Sequence, residues 1–264
     1  MLKKKISILI SNYNKGNYIN ECLSSCFLQS YSNLEVIVFD NFSNDDSLNI
    51  IQKYDQVFLY KRKKISSYPA VNQLNLLISA FKKSKGEIIL LLDSDDFFFK
   101  NKVKKILNFF ETNGDKNFLL DRPIILDVNK KKNFLIKRNF FSTSIWPTIF
   151  PTSSISFRRD FFIENEKFLL KDEYPLLEID FRLIVINFII NKDFYYLPYK
   201  NKLTLYRKVN DGITSNSAKF STNWWVKRLQ AFNFFQDILI KNNLKFSISA
   251  DFLFTKFINK ILSK

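Results

Sequence analysis

Three carboxylates, Asp93, Asp95 and Asp96, end the aliphatic run Ile88-Ile89-Leu90-Leu91-Leu92, with Ser94 between them. Like charges this close repel and call for a counter-cation, and Mg²⁺ or Mn²⁺ carrying a phosphate is the natural one. A solvated turn is the plainer reading, since Asp and Ser are common turn formers. The chain has no His in 264 residues. That excludes Ser-His-Asp and Cys-His centres, His-ligated zinc and haem on a proximal His. Acid–base work near neutral pH then falls to carboxylates, helped by Lys or Tyr. Cys22 and Cys26 stand four apart without the further ligands a zinc site needs, so they read as small core residues in a reducing compartment.

The elements that must hold these groups alternate in type. Ile6–Ile10 reads as a first strand, followed by the polar turn 11–16. Tyr18 to Gln29 carries apolar residues at 19, 22, 23, 26 and 27, one helical face. Leu34–Phe39 is a second strand ending in Asp40-Asn41. Residues 43–46 have helix N-cap chemistry ahead of a helix to about Tyr54. Val57–Tyr60 is a short strand, Pro69–Lys83 a helix ended by Gly86, and the run before Asp93 a strand buried on both faces. Repeated strand and helix mean a parallel sheet flanked by helices, and the C-terminal end of its strands is where such sheets bind ligands. Beyond Lys100 come a helix to Thr112, two irregular strands over 117–140 around the charged turn 129–133, and a Ser/Thr/Pro-rich loop 142–156. A short helix, an apolar helix Leu177–Asn191 and a strand Leu203–Arg207 follow. From Trp224 onward two helical segments carry Phe, Ile and Leu stripes with Lys between them.

Lys and Arg number 41 against 25 Asp and Glu, a net charge of +16. The basic residues are spread along the chain rather than gathered on one arm, which argues against nucleic acid as a partner. The Lys-interleaved helices at the end suit a peripheral contact with an anionic membrane. No apolar stretch approaches eighteen residues, and the run after Lys3-Lys4-Lys5 is too short for a signal peptide. The expected location is cytoplasmic, extending to the inner face of the cell membrane.

Ser11-Asn12-Tyr13-Asn14, Asp40-Asn41, Asp93–Asp96 and Glu178-Ile179-Asp180, in this order, resemble the family 2 glycosyltransferases, inverting enzymes of the GT-A nucleotide-sugar-binding fold. The resemblance is good over residues 5–115, fair from about 150 to 215, and absent from the last fifty. It implies an α/β fold with a mostly parallel central sheet flanked by helices. Residues 1–115 would be the nucleotide-sugar half, 116–215 the acceptor half, and 216–264 a C-terminal helical extension. It further implies transfer of a sugar from a nucleoside diphosphate sugar, by family habit UDP-linked, to a hydroxyl of a glycan or lipid-linked acceptor in bacterial surface polysaccharide synthesis.

Carried over by position, Ser11, Tyr13, Asp40, Asn72, Asp93 and Ser94 would bind the nucleotide, with the Tyr13 ring on the base and Asp40 accepting from a base N–H. Asp93-Ser94-Asp95 matches the metal motif called DXD, and either Asp95 or Asp96 is the direct ligand of Mn²⁺ or Mg²⁺. Asp180 matches the catalytic base, with Glu178 in reserve and a structural pairing with Arg182 as the plainer reading. Trp146, Ser153, Ser154 and Arg158 fall in the segment that shapes the acceptor site. Two departures stand out. Val71-Asn72 replaces an Arg-Asn pair, leaving a diphosphate contact to Lys61–Lys64. Val209-Asn210 also follows Tyr206-Arg207 where many members place a His, a role that would pass to Asp211 or Thr214. These departures motivate the alternative of a catalytically inactive relative that binds a nucleotide or a partner.

Overall fold

The computed structural model describes residues 4–128, 132–135, 145–170, 173–192, 195–210, 212–213 and 218–263. Its first half alternates as the hydrophobic pattern requires: β1 (Ile6–Asn12), α1 (Gly16–Phe27), β2 (Leu34–Asp40), α2 (Ser47–Ile51), β3 (Val57–Lys61), α3 (Pro69–Lys83) and β4 (Ile88–Asp93). There follow β5 (Phe97–Phe98), α4 (Lys102–Thr112), β6 (Phe118–Asp121), β7 (Ile124–Asp127) and β8 (Lys132–Leu135). A 3₁₀ turn, Thr152–Ser154, leads to β9 (Ile155–Arg158), α5 (Arg159–Leu169) and α6 (Ile179–Ile190). The chain closes with β10 (Tyr196–Leu197), β11 (Thr204–Lys208), α7 (Thr222–Lys241) and α8 (Ala250–Leu262).

The main sheet has the order β10-β6-β9-β4-β1-β2-β3. Its centre, β4-β1-β2-β3, is parallel. Strand side chains alternate between faces, so each strand feeds two cores. Ile8, Ile10, Val36, Val38, Leu90 and Leu92 pack with Cys22 and Leu23 of α1 and Ile106 and Phe110 of α4. On the other face Leu9, Ile37, Ile89 and Leu91 meet residues of α3, α5, α6 and α7, among them Leu77, Phe161, Leu183 and Phe234. Cys22 and Cys26 are buried and not disulfide-bonded. No helix of the described residues is long and apolar enough to cross a membrane.

Several elements depart from the sequence reading. The helix expected through Tyr54 is a short α2, whose start Asp45 meets by accepting from Ser47 N at 3.0 Å while its other oxygen accepts from Gly16 N in the loop after β1. The strand β9 was hidden in a loop-like Ser/Thr context. Ile-Ser-Phe-Arg offers four residues of weak pattern, and only its antiparallel partners β4 and β6 make it a strand. The region 117–140 divides between sheets: β6 joins the main sheet, whereas β7 and β8 join a second sheet of order β5-β11-β7-β8. The turn at 129–131 lies outside the described residues.

One buried network ties the two sheets together. Lys102 Nζ, fully buried on α4, donates to Asp121 Oδ2 (2.6 Å) on β6, Ser153 O (2.6 Å) in the 3₁₀ turn and Thr204 Oγ1 (2.7 Å) on β11. Thr204 Oγ1 closes the ring on Asp121 Oδ1 at 2.7 Å. Removing one partner of such a pair strands the other charge in a low-dielectric interior, at a cost of about 3–5 kcal/mol. Lys102→Met is therefore expected to lower the urea-unfolding free energy by about that amount. Adding Asp121→Leu should recover part of the loss. An unchanged midpoint in the single variant would remove this network from the stability of the fold.

Candidate functional site

The parallel register assembles the site. Ser11 of β1 lies beside Asp93 of β4, and Asn12 beside Asp40 of β2. The chain leaves β1 toward β2 and β3 on one side and returns to β4 on the other, so a crevice opens between β1 and β4 at their C-terminal ends. A cavity of ≈ 1010 Å³ occupies it. Ser11, Tyr13, Asn72, Asp93, Ser94, Asp95 and Asp180 all line that cavity, and Asp40 and Asp96 do not.

One wall consists of the loops after β1 and β2, which are laced together. Asn14 N donates to Ser43 Oγ (2.9 Å), Lys15 N to Ser47 Oγ (3.0 Å) and Gly16 N to Asp45 Oδ2 (2.8 Å). Asp40 is the bracket behind this wall. Fully buried, it accepts from Asn12 Nδ2 (2.7 Å), Ser43 N (2.8 Å) and Ser43 Oγ (2.6 Å). Asp40, expected to accept from a base N–H, does not line the cavity, and three donors from the loops already meet its carboxylate. Asn12 and Asn41 stand at the wall instead, each with a buried Oδ1 that meets no donor among the described residues. Tyr13 remains 40% exposed, and Lys64 Nζ sits 3.8 Å from its ring centre. Asn72 turns its amide to the neighbouring loop, accepting from Ile65 N (3.0 Å) and Ser66 N (3.1 Å) and donating to Ser66 O (2.7 Å). Its place is to shape the rim that carries Lys64.

The floor is acidic. Asp93 accepts from Gln73 Nε2 at 2.8 Å, and Ser153 Oγ accepts from the Asp93 N–H at 2.9 Å. Burial, then repulsion from Asp95 and Asp180, pushes the Asp93 carboxyl up to about 8. Asp95 pairs with Lys15 Nζ at 3.1 Å. Asp96 points the other way: Ser153 Oγ (2.5 Å) and Arg207 N (2.7 Å) donate to its two oxygens, so it pins β11 and the 3₁₀ turn to the end of β4. Of the two candidate ion ligands, the fold presents Asp95 to the cavity and withdraws Asp96. Arg207 adds a bond to Asp95 O (2.7 Å) and an ion pair with Glu21.

No group of three or more acidic or Cys side chains among the described residues could hold a metal ion by itself. A pair of crowded carboxylates beside an open cavity nevertheless fits a divalent cation completed by phosphate oxygens, the pattern Mg²⁺ and Mn²⁺ favour. Such an ion would also offset the burial and the repulsion that raise Asp93.

Asp180 enters from the opposite side, in the first turn of α6. Burial and the neighbouring Glu178 raise its carboxyl to about 7. Glu178 itself is ion-paired with Lys227 of α7. Arg182 turns into the core and donates to Leu169 O (2.7 Å) and Tyr174 O (2.7 Å), both backbone carbonyls. Tyr206 and Asn210 line the cavity where the sequence lacks a His, and burial raises the Tyr206 hydroxyl. Asp211 and Thr214 lie outside the described residues. Trp146 belongs to the core, its ring 4.8 Å from that of Phe232 and 5.6 Å from that of Phe181. Arg158 donates to Lys116 O (2.9 Å), a structural contact. Lys15, Gln73 and the two Asn oxygens had no individual signal in sequence. Asn12 and Asn41 stood inside the motifs Ser11-Asn12-Tyr13-Asn14 and Asp40-Asn41, and Lys15 in the polar turn after β1, whereas nothing marked Gln73.

The model of the glycosyl transferase family 2 matches residues 7–168. The poly(ribitol-phosphate) beta-N-acetylglucosaminyltransferase TarP of Staphylococcus aureus is 27% identical over 228 residues, covering 81% of this chain and 65% of that protein. An uncharacterized glycosyltransferase of Rickettsia felis is 32% identical over 156 residues, covering 58% of this chain and 25% of its own length. The chain thus spans about a quarter of the length of such rickettsial relatives. Among solved structures, S. aureus TarS 1-349 in complex with UDP-GlcNAc superimposes with a TM-score of 0.64 at 19% identity, covering 96% of this chain and 72% of that one. The mannosyltransferase PcManGT from Pyrobaculum calidifontis, in complex with GDP-Man and Mn²⁺, gives a TM-score of 0.57 at 14% identity, covering 97% and 70%. At these identities the likeness establishes the fold, which is of the GT-A type.

The raised carboxyls set a pH dependence for the protein without ligand. A group with a higher pKa folded than unfolded stabilises the fold fully below its unfolded value, and that contribution is lost as pH rises through the folded value. For Asp93 the window runs from the ordinary 3.8 to about 8. The melting temperature should fall across it, and Asp93→Asn should flatten the slope. A steeper fall in Asp93→Asn than in wild type would contradict the placement of that charge.

Proposed function

The chain belongs to glycosyl transferase family 2, and we propose that it transfers a sugar from a nucleoside diphosphate sugar, UDP-linked, to a hydroxyl of a glycan or lipid-linked acceptor in bacterial surface polysaccharide synthesis, with inversion at the anomeric carbon. The observation that carries this is that Asp93, Asp95 and Asp180 line one cavity, near enough for Asp95 and Asp180 both to raise the Asp93 carboxyl. The base would lie on Tyr13, displacing Lys64 from its ring, within reach of the acceptor oxygens of Asn12 and Asn41. Ser11 and Ser94 line the path from base to floor. Asp95, with Asp93 beside it, would hold Mn²⁺ or Mg²⁺. When bound, that ion neutralises charge on the leaving diphosphate. Lys15 and Lys64 put two protein cations at the same cavity, suited to the phosphates that Val71-Asn72 leaves without an Arg.

Asp180 acts as general base. A carboxylate with a pKa of about 7 is a stronger base than an exposed Asp and still substantially ionised near neutrality. It would take the proton of the acceptor hydroxyl as oxygen attacks the anomeric carbon from the side opposite the diphosphate. That in-line geometry makes the transfer inverting. The acceptor and the site of action are read together: a lipid-linked glycan would be met at the cytoplasmic face of the membrane, through peripheral contact.

The reading is tested in two steps. A thermal-shift screen of UDP-, GDP- and dTDP-sugars with and without Mn²⁺ should show the largest stabilisation for one UDP-sugar with the ion present. With that donor, Asp180→Asn should lower turnover by about 10²–10⁴-fold while leaving the UDP-induced shift intact. Wild-type turnover in Asp180→Asn would refute the role of Asp180. Nucleotide binding without turnover in the wild-type protein would favour the inactive relative.

A further inference from the structure

Helix α8 is apolar on both sides. Phe252 and Thr255 are buried, and Asn259 Nδ2 donates to Trp225 O of α7 at 3.0 Å, which fixes the inward face. On the outer side Leu253, Phe254, Phe257 and Ile261 are each more than half exposed, the Phe254 ring also meeting that of Trp225 on α7 edge-on at 5.7 Å. At about 100° per residue these four fall within an arc of about 100°, centred opposite the inward face. Exposed Lys256 and Lys260 run along one border of that arc. A groove of ≈ 620 Å³ between α7 and α8 is lined by Leu229, Leu253 and Phe257, with the same two lysines at its edge.

The segment that carries this face is predominantly positive, although Lys227 and Arg228 are themselves ion-paired, with Glu178 and Asp251. From residue 218 to 263 the chain carries seven Lys and Arg and two acids, Asp237 and Asp251. Both acids are turned to partners: Asp237 accepts from Tyr174 Oη at 2.6 Å, and Asp251 is ion-paired with Arg228. The outer surface is thus an apolar stripe bordered by cations, the combination that anionic lipid selects. A neutral protein partner would need the stripe and have no use for the lysines.

We propose that the outer face of α8 docks the protein on an anionic phospholipid bilayer, with Leu253, Phe254, Phe257 and Ile261 in the acyl–headgroup boundary and Lys256 and Lys260 on lipid phosphates. The inference deepens the reading of a membrane-borne acceptor and rests on that reading only for its purpose. The docking face itself is independent of donor chemistry.

Sucrose-loaded vesicles of phosphatidylcholine, with or without phosphatidylglycerol, give the test by co-sedimentation. The wild-type protein should partition at least about tenfold more strongly to the anionic vesicles and be released by salt. Phe254→Ser with Phe257→Ser should reduce that partition by more than about tenfold. Lys256→Glu with Lys260→Glu, at exposed positions, should do the same and remains decisive if the Phe variant folds poorly. Both variants should keep the UDP-induced thermal shift, so failure of docking and failure of nucleotide binding are read separately. Equal partition to both vesicle types, or variants that bind like wild type, would overturn the proposal. So would a concentration-dependent dimer in sedimentation velocity that Phe257→Ser abolishes, which would assign the face to a second copy of this chain.

Discussion

Negative charge is concentrated at one sheet edge beyond what the surrounding protein neutralises. Asp93, Asp95, Asp96 and Asp180 come within mutual influence because β4 ends beside β1 and α6 begins across the crevice. Each is handled differently. Asp96 is given two hydrogen-bond donors and becomes structural. Asp95 is given Lys15. Burial and the neighbouring acids raise the proton affinity of Asp93, Asp96 and Asp180 alike, but of these only Asp93 and Asp180 line the cavity. Carboxylates held in that state are poised to accept a cation or a proton, which is what metal-assisted departure of a diphosphate and deprotonation of a hydroxyl require. A fold that spread these residues apart would gain stability and lose the site.

The rest of the molecule fixes that edge. The Lys102–Asp121–Thr204 network anchors β11 and the 3₁₀ turn, and those two elements supply the Arg207 N–H and the Ser153 hydroxyl that hold Asp96. Gly86 lets α3 return close to β1: a Cβ there would stand 2.4 Å from Ser7 Oγ and 2.5 Å from Ser7 N. Its N–H and Ser7 Oγ both meet the buried Glu35, so the entry to β4 is set at the opposite end of the strand from the carboxylates. Rigid bracing of this kind gives the cavity its shape before any ligand arrives.

Legibility in the sequence followed the range of the interactions. The parallel half was readable because its strands are continuous apolar runs and its helices keep one face, both local patterns. Asp93, Ser94 and Asp95 were readable as a polar cluster at the end of a buried strand, whereas Ser11, Tyr13 and Asp180 were singled out only by the family resemblance. What escaped was nonlocal. Strand β9 exists because β4 and β6 flank it, and the second sheet because β5 and β7 meet β11 from distant parts of the chain. Trp146, placed by the resemblance in the segment that shapes the acceptor site, is packed among Phe181, Phe232 and Arg228.

The sequence alone determined that carboxylates and not imidazoles must carry the chemistry, that they sit at the ends of parallel strands, and that the C-terminal helices mix lysine with exposed aliphatic and aromatic side chains. Those follow from composition and short-range periodicity. Which carboxylate faces the cavity was decided only in three dimensions. Asp40 and Asp95 look equivalent as strand-end acids, yet Ser43 and Asn12 draw one into the wall while Lys15 keeps the other at the cavity. The reason is that orientation depends on where donors from other segments arrive, and the donors to Asp40 and Asp96 come from residues as distant as Asn12 and Arg207.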